Sequence, residues 1–464
     1  MKIACSSSNR KITNIGITNE IISGRGGLSF ALRYIDNLGL LNIIENRYGH
    51  FRKSSKGDRI SEIVRQIIAY FINGDHHAIS GFDSLKNDKS YAAILERNAT
   101  ELSGSAKVKR FFRKFKSTEF AGFRSILNDM FIWRLKTEKP DVIVLHLDTM
   151  VLDNDDAKVR EGVKPTYKQV CGYQPLQINW GPYIIDMHFR SGEKHSNHGN
   201  DAQNAIRRIV KLIRERYDSK TPIIISADSG FLSDDNLCFF EDELKVHYVI
   251  IGKLYQSIYS RLEDLDIPVC AKVDRGDKSW NCCDFASKLD SWDRERRTIL
   301  TSLLCNDDQY VLEGIRDTVM YTNLGISEQL DYELKSRQHD SYMTTVGVVG
   351  LAHHNGHEEL NHRSIKDFIG TEHLPFKRFG MNGAYYSLMV ISHFLMEAFR
   401  MDVAADIIPK RCYPARLRRE IIDIAVKIVN TGRKVILKAT SEVWDRLNLN
   451  VLWQKCNCDP MWIR

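Results

Sequence analysis

The spacing of apolar positions changes along the chain and predicts two kinds of structure. From Leu28 to about Leu135, apolar residues recur every three or four positions, as in ISEIVRQIIAYFI and FAGFRSILNDMFIWRL. This spacing is typical of amphipathic helices. After Pro140 the apolar runs become short, as in VIVLHLDTM and PIIISADSGF, which indicates buried strands. The sequence therefore predicts a helical N-terminal region followed by an α/β region.

The order of elements in the α/β region points to one fold class. The predicted elements are strands at 142–150, 168–178 and 182–190, a helix at 201–217, a strand at 223–226, a helix near 234–243 and a strand at 246–254. Asp201 is suited to cap the first of these helices. A three-stranded meander followed by two strand–helix units is the order of a ribonuclease-H-like core. The predicted fold class is α/β with such a core.

Downstream of this core, the pattern predicts an insertion and a return to helices. Residues 255–350 contain short alternating runs such as YVLEGIRDTVMYTNL and are predicted to form a β-rich insertion. Helices are expected at 356–369, 384–402 and 416–429, and a strand at 432–439. The predicted segments are a helical DNA-binding region (1–138), the first part of the core (139–254), the insertion (255–350), the last part of the core (351–405) and a basic C-terminal region (406–464).

Composition and charge exclude few classes of protein. The 464 residues include 66 Lys and Arg against 59 Asp and Glu, for a net charge of +7, so the placement of the basic residues matters more than their sum. No run of about 18 apolar residues occurs, so no membrane-spanning helix is expected. The ten cysteines form no disulfide framework and favour reduced thiols in a cytoplasmic protein.

One stretch of the helical region, AKVKRFFRKFK at 106–116, carries a high density of positive charge. Its basic residues are Lys107, Lys109, Arg110, Arg113, Lys114 and Lys116. One interpretation is a solvated helix face above a small phenylalanine core. The other is a DNA-binding helix, because a dense cationic surface is what the phosphate backbone requires.

Two of the predicted strands end on an aspartate, Asp148 in VIVLHLDTM and Asp228 in IIISADSGF. If these strands are parallel neighbours, their carboxylates lie side by side at the same end of the sheet. Adjacent carboxylates repel each other unless a cation lies between them. Mg²⁺ and Mn²⁺ prefer such oxygen ligands. The pair is therefore interpreted as half of a two-metal site of the kind that activates water or a 3′-hydroxyl for attack on phosphate.

A third acid is expected in HHNGHEELNHRSIKDF, where Glu359 is followed by Arg363 and Lys366 at positions i+4 and i+7 of a predicted helix. A helix of this kind could supply a metal ligand and bases that hold a phosphate. The same pattern is also typical of a surface helix with ordinary charge pairs. Glu358 is the alternative ligand, but only Glu359 lies seven residues before Lys366.

At these motifs the chain resembles the DDE transposases of bacterial insertion sequences, in the branch with a β-rich insertion. LDTM and ISADSGF resemble the motifs of the first two acids, NGHEELNHRSIKDF resembles the helix of the third, and YPARLRREIIDIAVKIVNTGRKVILK resembles the C-terminal block. SAKVKRFFRKF lies where related chains carry a helix-turn-helix-like segment. Many relatives have Tyr and Arg before the third acid, where this chain has Ala352 and Asn355.

The resemblance implies a metal-dependent enzyme acting on DNA. Asp148, Asp228 and Glu359 would hold two Mg²⁺ (or Mn²⁺) ions, Lys366 would take part in catalysis, and Arg363 would contact DNA. The expected partners are double-stranded DNA, as terminal inverted repeats and target, and a second copy in a synaptic homodimer. The protein would be cytoplasmic and associated with the nucleoid when bound to DNA. An inactive DNA-binding protein, a stand-alone nuclease, and a sugar hydrolase with paired carboxylates remain alternatives.

Overall fold

The structure is a computed structural model. It describes residues 15–116, 119–255, 258, 260, 268–275, 278–304, 317–353, 356–370, 373–409, 412–432 and 434–458, without the side chains of residues 275, 356–360 and 369.

The described strands are numbered in chain order. They are β1 (Ile21–Ser23), β2 (Ile143–Thr149), β3 (Leu152–Asp153), β4 (Lys164–Pro165), β5 (Cys171–Tyr173), β6 (Leu176–Trp180), β7 (Tyr183–His188), β8 (Ile223–Ala227), β9 (His247–Gly252), β10 (Ala271–Arg275), β11 (Lys278–Ser287), β12 (Arg296–Leu304), β13 (Thr318–Thr322), β14 (Val426–Thr431) and β15 (Lys434–Lys438).

The described α-helices are numbered in the same way. They are α1 (Leu28–Asn37), α2 (Leu40–Tyr48), α3 (Ile60–Asn73), α4 (Gly81–Lys86), α5 (Lys89–Ile94), α6 (Ser105–Phe112), α7 (Ala121–Glu138), α8 (Asp201–Arg216), α9 (Asp234–Cys238), α10 (Glu328–Ser336), α11 (Thr345–Ala352), α12 (Gly356–Ile369), α13 (Phe379–Phe399), α14 (Pro414–Leu417), α15 (Ser441–Leu447) and α16 (Leu449–Asn457).

The largest sheet of the described residues has the strand order β10-β11-β12-β13-β9-β8-β2-β6-β7, in which β2 is third from one edge. β2, β6 and β7 form an antiparallel meander, and β8 and β9 continue the sheet in parallel on the other side of β2. This is the strand order of a ribonuclease-H-like core, so the predicted α/β fold class is confirmed. The insertion strands do not form a separate sheet, because β13 pairs antiparallel with β9 and extends the core sheet.

Alternate residues of the central strands contribute to two hydrophobic cores on opposite sides of the sheet, as the period of a strand requires. Ile225 and Leu145 belong to the larger core, which also contains the N-terminal helices and α13. Ile224 belongs to the smaller core, together with Val348 and Val349 of α11. The described residues of α13 after its first position are all buried, which is expected of a helix that is apolar on every side.

The N- and C-terminal parts of the described chain form a second sheet, with β14 between β1 and β15. Gly27 allows this close approach, because a Cβ atom there would lie 1.7 Å from the carbonyl oxygen of Ile421. The prediction of a helix over 416–429 is therefore wrong from Asp423 onward, because the helical turns end at Ile422 and a strand begins at Val426. The apolar spacing of this segment fits a helix, but its backbone pairs with β1, from the other end of the sequence.

Two local predictions about helix ends also differ from the structure. Asn200, rather than Asp201, occupies the cap position of α8, and its side chain makes no capping hydrogen bond. Asp201 instead lies 3.6 Å from Nη1 of the buried Arg190. The basic stretch at 106–116 is helical only in part, because α6 ends at Phe112 and Lys116 lies beyond the helix. None of the described helices combines the length and apolar character needed to cross a membrane.

A buried group of ion pairs connects helices α7 and α8 to the core sheet. Asp186 of β7 is almost fully buried and accepts hydrogen bonds from Nε and Nη2 of Arg124 on α7, at 2.7 and 2.8 Å. It also pairs with Arg208 of α8. Burial alone would raise the pKa of Asp186, but the two guanidinium groups outweigh it and lower the pKa.

We expect Asp186→Ala to lower the free energy of unfolding by about 3 kcal/mol, because it leaves two facing guanidinium groups without their shared anion. Urea denaturation measures this change. Glu243→Ala is the matched control, since Glu243 binds Arg207 in the same two-bond geometry, at 2.6 and 2.9 Å, but on the surface. Equal, small effects of both substitutions would contradict a structural role for Asp186.

Candidate active site

The first two predicted acids are brought together by the parallel pairing of β2 with β8. Leu147 of β2 lies opposite Ala227 of β8 in this register. The residue that follows each of them is an aspartate, Asp148 after Leu147 and Asp228 after Ala227. Opposite residues of neighbouring strands lie about 4.8 Å apart and point to the same side of the sheet. The structure therefore places Asp148 and Asp228 next to each other at the ends of neighbouring parallel strands, and their role as metal ligands stays a prediction.

The direction of the two carboxylates follows from strand alternation. Asp148 shares its side of β2 with Val144, and Asp228 shares its side of β8 with Ile224, because each pair is separated by an even number of residues. Val144 and Ile224 pack in the smaller core with residues of α11. Both carboxylates therefore point to the side of the sheet that α11 covers, whereas the buried residues Ile365 and Phe368 of α12 belong to the larger core.

Backbone N–H groups hold both aspartates. The Thr149 N–H donates to Oδ1 of Asp148 at 2.6 Å, and the Gly230 N–H donates to Oδ1 of Asp228 at 2.9 Å. Asp228 is exposed at the surface, yet the surrounding protein desolvates its carboxylate enough to raise its pKa, against the effect of the Gly230 bond. A carboxylate that is both accessible and disfavoured as a bare anion is suited to bind a cation.

Helix α12 contacts the first aspartate through a residue that the sequence analysis did not select. Nε2 of His362 lies 3.3 Å from Oδ2 of Asp148, although this nitrogen makes no hydrogen bond to the described residues. Burial, followed by the charges of Lys366 and Lys168, lowers the pKa of His362 to about 4. The imidazole is therefore neutral near pH 7 and can offer a lone pair toward the site.

The predicted third acid lies on this same helix. Glu359 belongs to α12, three residues before His362 and seven before Lys366, but its side chain, like that of Glu358, lies outside the described residues. The placement of the third carboxylate therefore stays a prediction. Elsewhere α12 has a buried side formed by Asn361, Ser364, Ile365 and Phe368, as a surface helix also has, so both interpretations of its charged residues stay open.

The donor set at the end of β2 and β8 suits a hard divalent cation. Two carboxylates lie together there, and a helix carrying a third acid reaches Asp148 through His362. Among the described residues, no group of three or more His, Cys, Asp or Glu side chains could hold a metal ion. The two aspartates account for two ligands of such a group, and the side chain of Glu359 would have to supply another.

Comparison with known proteins identifies the family. The sequence profile of transposase DDE domain group 1 matches residues 7–455, which is nearly the whole chain. The chain belongs to this family of DDE transposases. The resemblance noted from the motifs is therefore confirmed.

The chain was also compared with curated proteins and with solved structures. No curated protein matches the transposase. Among solved structures, the cryo-EM structure of a piggyBac transposase synaptic complex with hairpin DNA is 14% identical, with a TM-score of 0.41, over 85% of this chain and 79% of that chain.

The basic stretch of the transposase divides into inward and outward residues. Phe111, Phe112 and Phe115 are buried in the larger core. Two of the cations are engaged by the protein: Nζ of Lys107 pairs with Asp58, and Nζ of Lys114 donates to the Phe51 carbonyl oxygen. The remaining cations are exposed, and they are Lys109, Arg110, Arg113 and Lys116. The phenylalanine core of the first interpretation is present, and DNA binding by the outer side stays a prediction.

Arg363 of α12 is exposed and contacts the residue before α14. Its guanidinium carbon lies 4.3 Å from the centroid of the Tyr413 ring, and Nη1 donates to the Tyr413 hydroxyl at 3.0 Å. In this arrangement the guanidinium group of Arg363 stays at the surface. The predicted contact of Arg363 with DNA stays a prediction.

Sequence analysis missed His362, Tyr167 and Lys168. The first could have been found, because Glu359, His362 and Lys366 recur at i, i+3 and i+7 and so share a side of the helix. Desolvation, followed by the charges of Asp148 and Asp228, raises the pKa of Tyr167. No motif in the sequence indicates that Tyr167 and Lys168 reach the site.

We expect divalent metal to stabilise the protein through the paired aspartates. With Mn²⁺ or Mg²⁺ at about 100 times its Kd, the free energy of unfolding should rise by about 2.7 kcal/mol. Asp228→Asn keeps the shape of the side chain but removes its charge, so most of this gain should be lost. Thermal unfolding with and without metal measures the difference. Asp340→Asn, on an exposed surface turn, is the control, and an unchanged metal effect in Asp228→Asn would exclude this site.

Proposed function

We propose that the chain is an active DNA transposase that cleaves the ends of a mobile element of the insertion-sequence type and joins the 3′-hydroxyl ends to target DNA. Family membership supports the reaction class. The observation that carries the proposal is the side-by-side position of Asp148 and Asp228 at the ends of parallel strands, with α12 against Asp148.

The residues of the site have distinct roles in this proposal. Asp148, Asp228 and Glu359 would hold two Mg²⁺ or Mn²⁺ ions, which when bound neutralise charge on the phosphate and activate the attacking oxygen. Lys366 would hold a non-bridging phosphate oxygen, since it lies two turns after Glu359 on α12. Phosphoryl transfer of this kind depends mainly on positioning and charge neutralisation.

Double-stranded DNA would be held by positive charge outside this site. The exposed cations of the basic stretch offer phosphate contacts, and Arg363 offers another beside the helix of the third acid. Cutting both ends of an element together would require two copies of the chain, so we propose a homodimer in the DNA-bound complex.

We expect Asp148→Ala to reduce nicking by about 100-fold or more, because charge neutralisation at the phosphate is lost. The substrate is a supercoiled plasmid carrying the DNA that flanks the gene, and the readout is the nicked form on a gel. Asp340→Ala should nick like the unmodified protein. Unchanged nicking by Asp148→Ala would show that the active site lies elsewhere.

Two related functions give different results in the same assay. A protein that binds DNA without cutting it would not nick in any metal. A stand-alone nuclease would nick but would not join linear element ends to a second DNA molecule. Joined products that depend on Asp148 and Asp228 favour the transposase.

The proposed DNA surface can be tested by its salt dependence. We expect Arg113→Ala and Lys109→Ala each to weaken binding to duplex DNA of any sequence and to lower the slope of log K against log salt by about 1. Lys335→Ala, an exposed lysine of α10, is the control. If the slopes of the Arg113→Ala and Lys109→Ala variants equal that of the control, the basic stretch is a solvated surface only.

A further inference from the structure

Helix α12 carries a glutamate and a histidine three residues apart, Glu359 and His362, in the sequence ELNH. Residues at positions i and i+3 of a helix lie on the same face. In helical proteins with two metal ions, a Glu-x-x-His pair of this spacing supplies two ligands from one helix. The spacing therefore indicates that His362 belongs to the same face of α12 as the predicted third acid.

The imidazole of His362 lies beside one particular oxygen of Asp148. Oδ1 of Asp148 accepts a hydrogen bond from the Thr149 N–H at 2.6 Å, whereas Oδ2 lies 3.3 Å from Nε2 of His362. This nitrogen is buried and makes no hydrogen bond to the described residues. A buried nitrogen without a partner is unfavourable, so a group that binds both Nε2 and Oδ2 would stabilise the arrangement.

The separation of these two atoms suits one metal ion bound by both. Adjacent ligands of an octahedral Mg²⁺ ion lie about 3 Å apart, because each lies about 2.1 Å from the ion. The distance of 3.3 Å between Nε2 of His362 and Oδ2 of Asp148 is close to this value. An imidazole nitrogen and a carboxylate oxygen are both common metal ligands in proteins. The pair therefore has the chemistry and the spacing of two neighbouring ligands.

The position of His362 is set by the part of α12 that follows it. Ile365, about one turn further along the helix, is buried in the larger core. The ring of Phe368, about one turn after that, lies 5.8 Å from the ring of Phe71 on α3. Close-packed interiors hold such side chains in place. His362 is thus presented to Asp148 by a helix that the hydrophobic core positions.

We propose that His362 is a metal ligand, whose Nε2 binds the same ion as Oδ2 of Asp148 and the carboxylate of Glu359. This inference rests on the proposed function and adds a neutral nitrogen ligand to the three acids. No three described His, Cys, Asp or Glu side chains could hold a metal ion together, so the ion needs Glu359 in addition to the pair in contact. The mixed ligand set favours Mn²⁺ over Mg²⁺, because Mg²⁺ prefers oxygen ligands.

The test uses Mn²⁺ alone as the probe and detects the ligand directly. Mn²⁺ is added to the full-length protein, without DNA and without a histidine tag. Electron paramagnetic resonance at room temperature measures the free Mn²⁺ and so gives the affinity. Electron spin-echo modulation of the frozen sample then shows whether a nitrogen nucleus is coupled to the bound ion, which is the signature of an imidazole ligand.

We expect nitrogen coupling in the unmodified protein. His362→Ala should abolish the coupling and weaken Mn²⁺ binding roughly 10-fold or more, since the loss of even an outer partner of a metal ligand has an effect of this size. His362→Gln keeps a polar side chain at this position and should also lose the coupling. Its Mg²⁺ affinity, measured by competition with Mn²⁺, should fall less than its Mn²⁺ affinity, because the amide oxygen suits Mg²⁺.

His50→Gln removes an exposed histidine and is the matched control, which should bind Mn²⁺ and show nitrogen coupling like the unmodified protein. Bound Mn²⁺ without nitrogen coupling in the unmodified protein would overturn the proposal. Nitrogen coupling that survives in both His362→Ala and His362→Gln would overturn it as well, because the nitrogen would then come from another group.

Failure of this inference can be separated from failure of the proposed function. If Asp148→Ala no longer nicks plasmid but the unmodified protein shows no nitrogen coupling, only the ligand role of His362 is wrong. If Asp148→Ala nicks normally, the active site itself is wrong, and the proposed function fails together with the role of His362.

Discussion

The parallel register between β2 and β8 is the constraint on which the candidate site depends. A slip of one residue in either strand would turn one aspartate to the opposite side of the sheet. The register is held by apolar residues on both sides of β8, with Ile225 in one core and Ile224 in the other. A slip would therefore exchange the neighbours of every buried residue in the strand. The position of two charged groups is thus set by the burial of uncharged ones.

The sequence predicted the parts of this arrangement that local patterns encode. Strand period and length identified β2, β7, β8 and β9 in their correct order, and the acids at the ends of two of these strands are Asp148 and Asp228. The strand predicted at 168–178 was wrong in its bounds, because it overlaps β6 only at 176–178 and otherwise covers β5 and a turn. These patterns depend only on residues close together in the sequence. A buried strand has the same apolar run whichever strands it pairs with. The insertion was identified as β-rich for the same reason, but not the strand to which it would pair.

What could not be predicted depends on contacts between distant segments. The segment that forms β14 has an apolar spacing that suits a helix, and only its pairing with β1 and β15 makes it a strand. Propensity is a weak guide where tertiary pairing competes with it. Likewise, Lys168 and Lys366 are far apart in the sequence, and no local pattern records that their charges act on each other.

The helical region and the catalytic core share one hydrophobic core, and this connects the proposed DNA surface with the site. The ring of Phe112, at the end of α6, lies 5.5 Å from that of Tyr385 on α13, and α13 contacts β7 of the central sheet. Buried interiors are close-packed and transmit displacement rather than absorb it. If the exposed cations beside Phe112 bind DNA as proposed, the bound phosphates stand at a fixed distance from Asp148 and Asp228. The phosphodiester that reaches the carboxylates would then be selected by side-chain packing, and not by the length of a flexible linker.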